Sequence, residues 1–170
     1  MKDTIELIID KYGMGSLRYS LIPYSDRANV NIKFSETYPS IEDLKAAIQA
    51  MLPVTGGSNI SAALSAAKEA FEDNGVRKDA THVLVVITDK ASGASEDVIK
   101  KAAKPLQESG IVVIPVGIGN QVSTKELDGA TDNEENVITV DVEEDPKNLM
   151  EMIMGKINGM VLSAFLVVFN

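Results

Sequence analysis

The stretch TGGSN, Thr55 to Asn59, sets two glycines and a hydroxyl immediately before an alanine-rich segment. A helix starting there presents free backbone amides, the arrangement that cradles phosphate. The stretch carries neither the lysine of a P-loop nor the spacing of a dinucleotide fingerprint, so phosphate binding is not expected. Ser58 is also the hydroxyl that a nucleophile would need. The sole histidine, His82, begins the run THVLVVITD, and Asp89 ends it. As a strand this run holds His82 and Asp89 at opposite ends, so Ser58, His82 and Asp89 do not compose a triad. His82 reads as a surface or edge residue. The acidic runs DNEENV and DVEED lack EF-hand spacing and read as solvated loops. Asn59-Ile60-Ser61 matches a glycosylation sequon by chance rather than by use. With no general base, nucleophile pair or phosphate cradle, no enzyme is expected.

Composition narrows the choice further. The chain has 170 residues, 45% apolar and 24% charged, which suits one globular domain with a substantial core. Its formal net charge of -9 argues against nucleic-acid partners, whose phosphates require clustered Lys and Arg. Cysteine is absent, which excludes disulfides, thiolate zinc sites and thiol nucleophiles. The opening MKDTIELIID has no apolar signal core, and the closing run MVLSAFLVVFN is too short to span a bilayer as a helix. No membrane insertion is expected.

The elements that must position these residues follow from apolar periodicity. Thr4 to Gly13 repeats at helical spacing and stops at glycine. LRYSLIPY and ANVNIKF read as a hairpin joined by Ser25-Asp26-Arg27, the second strand an edge with Val30, Ile32 and Phe34 on one face. Ser40 N-caps a helix that Pro53 halts, and the segment from Ile60 to Gly75 forms a second helix whose alanines allow close approach to a sheet. THVLVVITD and IVVIPVGIG are continuous apolar runs, the signature of buried parallel strands. Between and after them come a helix bent at Pro105, a short helix STKELDGA, a strand NVITV, and a helix with Asp145 as N-cap and Pro146 at its first position. Met150, Met152 and Met154 alternate there, so they cannot all face the core. Tyr24 and Tyr38 read as packing residues. The sum is a doubly wound α/β fold: a mostly parallel, six-stranded sheet with one antiparallel edge strand and helices on both faces.

This order of elements, with YSLIPYSDRANVNIKF, LPVTGGSNISAALSAA, HVLVVITDKAS and GIVVIPVGIGN in sequence, resembles the von Willebrand factor A family from roughly Thr4 to Ile157. The family begins on a central strand ending in Asp-x-Ser-x-Ser, which here would precede Met1. The chain instead finishes on an apolar run, AFLVVFN, that looks like that strand. Residues 161–169 are therefore predicted to fill the central slot of a single domain spanning 1–170, as in a circular permutation. An unfilled slot would leave buried backbone unpaired on both neighbours. Two alternatives stay open: donation of the tail to a neighbouring molecule, and a tail that starts a following tandem domain.

The resemblance also implies a divalent cation at the carboxyl ends of the central strands, held by oxygen ligands in a metal-ion-dependent adhesion site. Ser58 stands at the family's Thr position and Asp89 at its Asp position. The Asp-x-Ser-x-Ser motif has no match, and its leading Asp falls near Val168 or Asn170. Two ligands hold Mg2+, or Mn2+ or Ca2+, weakly or not at all. Asp3 and a terminal carboxylate on Asn170 are conceivable replacements; otherwise Ser58 is an N-cap and Asp89 a polar strand end. By the same resemblance the chain is a secreted, non-enzymatic adhesion module binding a matrix or cell-surface protein. A monomer is expected over a strand-exchanged oligomer. A self-assembling role by strand exchange, or an intracellular assembly factor, is the other reading.

Overall fold

A computed structural model of the chain describes residues 1–15, 17–72 and 81–170. The predicted end of the second long helix, Asp73 to Gly75, lies outside the described residues. Among those described, five strands form one parallel sheet: β1 (Arg18–Pro23), β2 (Thr81–Thr88), β3 (Val112–Ile118), β4 (Ile138–Val140) and β5 (Leu162–Phe169), in the order β1-β5-β2-β3-β4. The helices are α1 (Lys2–Tyr12), α2 (Ile41–Ala50), α3 (Ile60–Phe71), α4 (Glu96–Glu108), α5 (Thr124–Ala130) and α6 (Pro146–Lys156).

The closing strand lies inside the sheet. Leu21 and Ile22 of β1 pair with Val167 and Val168 of β5, whose other edge aligns Val85 and Val86 of β2 with the same two residues. All eight residues of β5 are buried, which is why the run is apolar on both faces instead of alternating. Phe165, Val167 and Phe169 join a core with α1, α2 and α6, while Ala164, Leu166 and Val168 join a second core with α3 and α4. Each fully buried Leu, Val or Phe contributes roughly 1.5–3 kcal/mol of transfer free energy. On α3, Ala63 and Ala67 are fully buried against the sheet, as small residues allow. On α6, Met150 and Met154 are buried and Met152 is exposed.

The edge beside β1 departs from expectation. ANVNIKF forms no regular strand; two isolated antiparallel bridges, Leu21 with Ile32 and Tyr24 with Ala28, are what remains of the predicted hairpin. Pro23 has no N–H to give to a ladder, and Ser20 Oγ donates to the Ile32 carbonyl at 2.8 Å, taking up an edge acceptor. Nor do Val30, Ile32 and Phe34 share a face. Ile32 packs with the α1 side of the sheet, whereas Phe34 and Val30 pack with the α3 side. The segment wraps the edge of the sheet and plugs both cores, so strand alternation does not apply to it. The sheet thus has five parallel strands where six with an antiparallel edge were predicted.

Caps agree in most places. Ser40 accepts from the Asp43 N–H at 3.1 Å, and Asp145 from the Lys147 N–H at 2.8 Å. Helix α4 continues through Pro105 to Glu108. Tyr24 is fully buried, and half-buried Tyr38 donates its hydroxyl to Glu36 at 2.8 Å. His82 stacks on Phe71, ring centroids 5.5 Å apart.

Candidate functional site

The carboxyl ends of β2 and β5 make a rim together with the turn before α3. Parallel strands all present the same end here, and the loops that leave it carry the side chains of the site. The turn is shaped by its glycines. Gly57 donates its N–H to Asp26 Oδ1 at 3.0 Å, and a Cβ at Gly57 would stand 2.4 Å from that oxygen. Gly56 has φ +126 and would place a Cβ 2.8 Å from Asp26 Oδ2. The glycine pair therefore exists to wrap the chain around the Asp26 carboxylate. Asn59 then caps α3, its side chain accepting from the Ala62 N–H at 3.0 Å. The N-cap is Asn59 and not Ser58.

Ser58 is buried and pairs with Thr88, the two hydroxyl oxygens 2.9 Å apart. Thr88 Oγ1 donates its own proton to the Lys90 carbonyl at 2.7 Å, so the proton between the hydroxyls comes from Ser58. Tyr24 lies beneath, donating to the Ile87 carbonyl at 3.2 Å. Burial pushes the Tyr24 phenol up to about 12; contacts with the Thr88 and Ser58 hydroxyls oppose that rise, and the Asp89 and Glu126 charges add to it.

Asp89 is exposed at the end of β2. Its N–H donates to Asn170 Oδ1 at 3.2 Å, because Phe169 pairs with Ile87 and the next residue of the tail arrives beside it. Asn170 Nδ2 is buried without a hydrogen-bond acceptor. Half-buried Lys90 reaches across the rim and donates its ammonium to the Gly56 carbonyl at 2.8 Å. Behind the rim, Glu126 is only 3% exposed; its carboxylate accepts the N–H groups of Ser92 at 2.8 Å and Gly93 at 3.0 Å. Glu126 thereby holds the loop that follows Asp89 and Lys90.

The structure brings the carried-over residues, Ser58 and Asp89, to the same end of the sheet, with Asn170 joining them. Asp3 stays exposed in the first turn of α1. Thr88, Lys90 and Glu126 escaped sequence reasoning, and Tyr24, read as a packing residue, is one that also lies beneath the site. Glu126 had a visible signal: it follows Ser123 by three positions, as in a capping box. Ser123 does accept from the Glu126 N–H at 3.3 Å, but the Glu126 carboxylate turns away from the helix to the neighbouring loop.

These residues do not fit a full shell for a hard divalent ion, which asks for about six oxygens in near-octahedral array. Beside the exposed Asp89 carboxylate, Ser58 offers one neutral, buried hydroxyl oxygen, and the Asn170 amide turns a buried donor, not an acceptor, toward its unpartnered side. Among the described residues no three His, Cys, Asp or Glu side chains converge as a metal-binding group.

The profile of the von Willebrand factor type A domain matches residues 1–152. The chain is 32% identical over 130 residues to a collagen alpha-4(VI) chain from Mus musculus, covering 75% of this chain and 5% of the collagen. Its fold matches proximal thread matrix protein 1 from the mussel byssus with a TM-score of 0.79 at 25% identity, over 91% of this chain and 40% of that one. A second structure of that protein, described as having a zinc-occupied MIDAS motif, aligns with a TM-score of 0.80 at 22% identity, over 91% and 41% of the two chains.

Proposed function

The chain belongs to the von Willebrand factor type A domain family, and on that premise we propose that it is a non-enzymatic protein-binding module of an extracellular matrix or cell-surface protein. The observation that carries this reading is the rim at the carboxyl ends of β2 and β5. There the Ser58–Thr88 hydroxyl pair and the Asp89–Asn170 contact lie at one end of the sheet, and the family resemblance implies that Ser58 and Asp89 are two of its cation ligands. The collagen relative supports a matrix setting and an extracellular location; the chain spans only 5% of its length, so the setting is an inference from kinship.

The adhesion site is incomplete. Ser58 and Asp89 are its retained oxygens, and Asn170 stands where a carboxylate would be needed. The binding surface is then the rim itself, with Mg2+ weak or dispensable. A monomer whose tail stays in its own sheet presents that rim to a partner.

Surface binding to immobilised collagen, fibronectin and laminin tests the reading. We expect saturable binding to at least one of them, weakened tenfold or more by Asp89→Ala, because few interface residues carry most of the energy. Asp89 is exposed, so the substitution leaves the fold intact. Binding to none of the three, or binding indifferent to Asp89→Ala, refutes the reading.

A further inference from the structure

Among the described residues Glu126 is the one charged side chain that is buried, and none of the ion pairs includes it. A buried charge is costly unless hydrogen bonds replace its water. Here the replacement is the backbone of the loop after β2: Ser92 and Gly93 give their N–H groups to the one carboxylate. Gly93 has φ +78, a turn that lets successive N–H groups face one anion. The Ala91 N–H goes to the Gln121 carbonyl at 2.7 Å, so α5 and the segment before it hold three consecutive residues of the loop. On its other side the loop reaches the glycine turn through the Lys90 ammonium on Gly56, and that turn encloses Asp26. The rim loops are linked in one series from Asp26 to Glu126, with Asp89 beside its middle member.

We propose that Glu126 is a positioning residue of this rim: through the Ser92–Gly93 backbone it fixes the loop that follows Asp89, and so sets the affinity for the partner without touching it. The inference rests on the rim being the binding surface. Glu126 is 3% exposed and out of a partner's reach, so it acts only through what it holds. A loop already fixed loses little freedom on docking, whereas a loosened one gives up that freedom at the moment of binding. A carboxylate suits the task because both its oxygens accept. An amide of the same size offers one acceptor and turns a donor on the second N–H. The role therefore belongs to the acceptors of the side chain and not to its volume.

Glu126→Gln is compared with Ser40→Ala, which removes the cap of α2 and lowers stability while leaving the Glu126 bonds alone. Amide hydrogen exchange is read first. Ser92 and Gly93 are expected to exchange roughly tenfold faster in Glu126→Gln, the effect of losing one charge-assisted hydrogen bond, and at native rates relative to β5 in Ser40→Ala. Binding to immobilised collagen, fibronectin and laminin is read second. It is expected to weaken roughly fivefold in Glu126→Gln, as ordering a freed loop costs, and to hold in Ser40→Ala. Glu126→Asp, with both acceptors on a shorter stem, should fall between the native chain and Glu126→Gln in both readouts. Unchanged exchange at Ser92 and Gly93 in Glu126→Gln, equal weakening of binding by Ser40→Ala, or the opposite ranking of Asp and Gln overturns the proposal. Binding lost in Asp89→Ala but intact in Glu126→Gln overturns this inference alone. Binding indifferent to both substitutions, or absent from all three proteins, removes the rim reading beneath it.

Discussion

Tyr24 illustrates how burial recasts a residue. In the sequence it is one aromatic at the end of a strand-like run; in the fold its hydroxyl is sealed under Ser58 and Thr88. Its phenol is raised from 10.0 to about 12, chiefly by burial. The neutral form is favoured in the folded state, so the stabilisation is complete below the unfolded value of 10.0 and disappears as pH rises toward 12. Tyr19, whose hydroxyl donates to the Gly13 carbonyl at 2.8 Å, shifts in the same direction by burial. Thermal unfolding against pH is expected to show a steep loss of midpoint between pH 10 and 12. Tyr24→Phe should flatten that loss by something on the order of 2 kcal/mol while lowering stability at neutral pH by about 1 kcal/mol. An unchanged alkaline limb in the variant contradicts the assignment. Ser58 and Asp89 were readable as individual residues because their motifs surround them. Lys90 and Glu126 were not, because their partners, Gly56 and the Ser92–Gly93 backbone, are more than 30 positions away.

At the scale of elements, helices were legible to within a few residues at each described end. Capping residues and apolar period are local properties, and local properties survive folding. Helix α3 is the informative case. Its start was placed correctly, yet the capping side chain is Asn59, which leaves Ser58 free to turn inward to Thr88. Asn59→Ala is expected to cost about 1 kcal/mol, read as a lower urea midpoint with an unchanged slope. Asn59→Asp should keep most of that stability, and equal destabilisation by both substitutions would show that the cap is not what Asn59 contributes. The same side chain engages Ala62 and the Asp26 carbonyl, which ties the cap to the loop that the glycines wrap. The segment from Ala28 to Phe34 was misread for a physical reason: strict alternation is shared by an edge strand and by a chain that crosses over a sheet edge, filling one core and then the other.

For the whole molecule the decisive element is β5. It buries both faces and hydrogen-bonds on both edges, so β1 connects to the rest of the sheet only through it. Leu166, fully buried, should cost 2–5 kcal/mol on replacement by alanine, read as a lower thermal midpoint. Removing residues 161–170 should abolish the cooperative transition and leave aggregating chain in light scattering, while the intact chain scatters as a monomer. A truncated chain that still unfolds cooperatively as a monomer would show that the slot does not need this strand.

The sequence by itself determined the class of fold, the order of its helices and parallel strands, and the apolar run destined for the interior, while the family resemblance implied that Ser58 and Asp89 share the carboxyl end. Each of these follows from periodicity, composition or a contiguous motif, which are written along the chain. Only tertiary structure decided that Ser58 pairs with Thr88, that Lys90 spans the rim to Gly56, and that Asn170 arrives beside Asp89. Those contacts join segments far apart in the chain, and which distant groups meet depends on sheet register and on the paths of the loops. Register is a collective outcome of packing both cores at once, so no short stretch of residues specifies it.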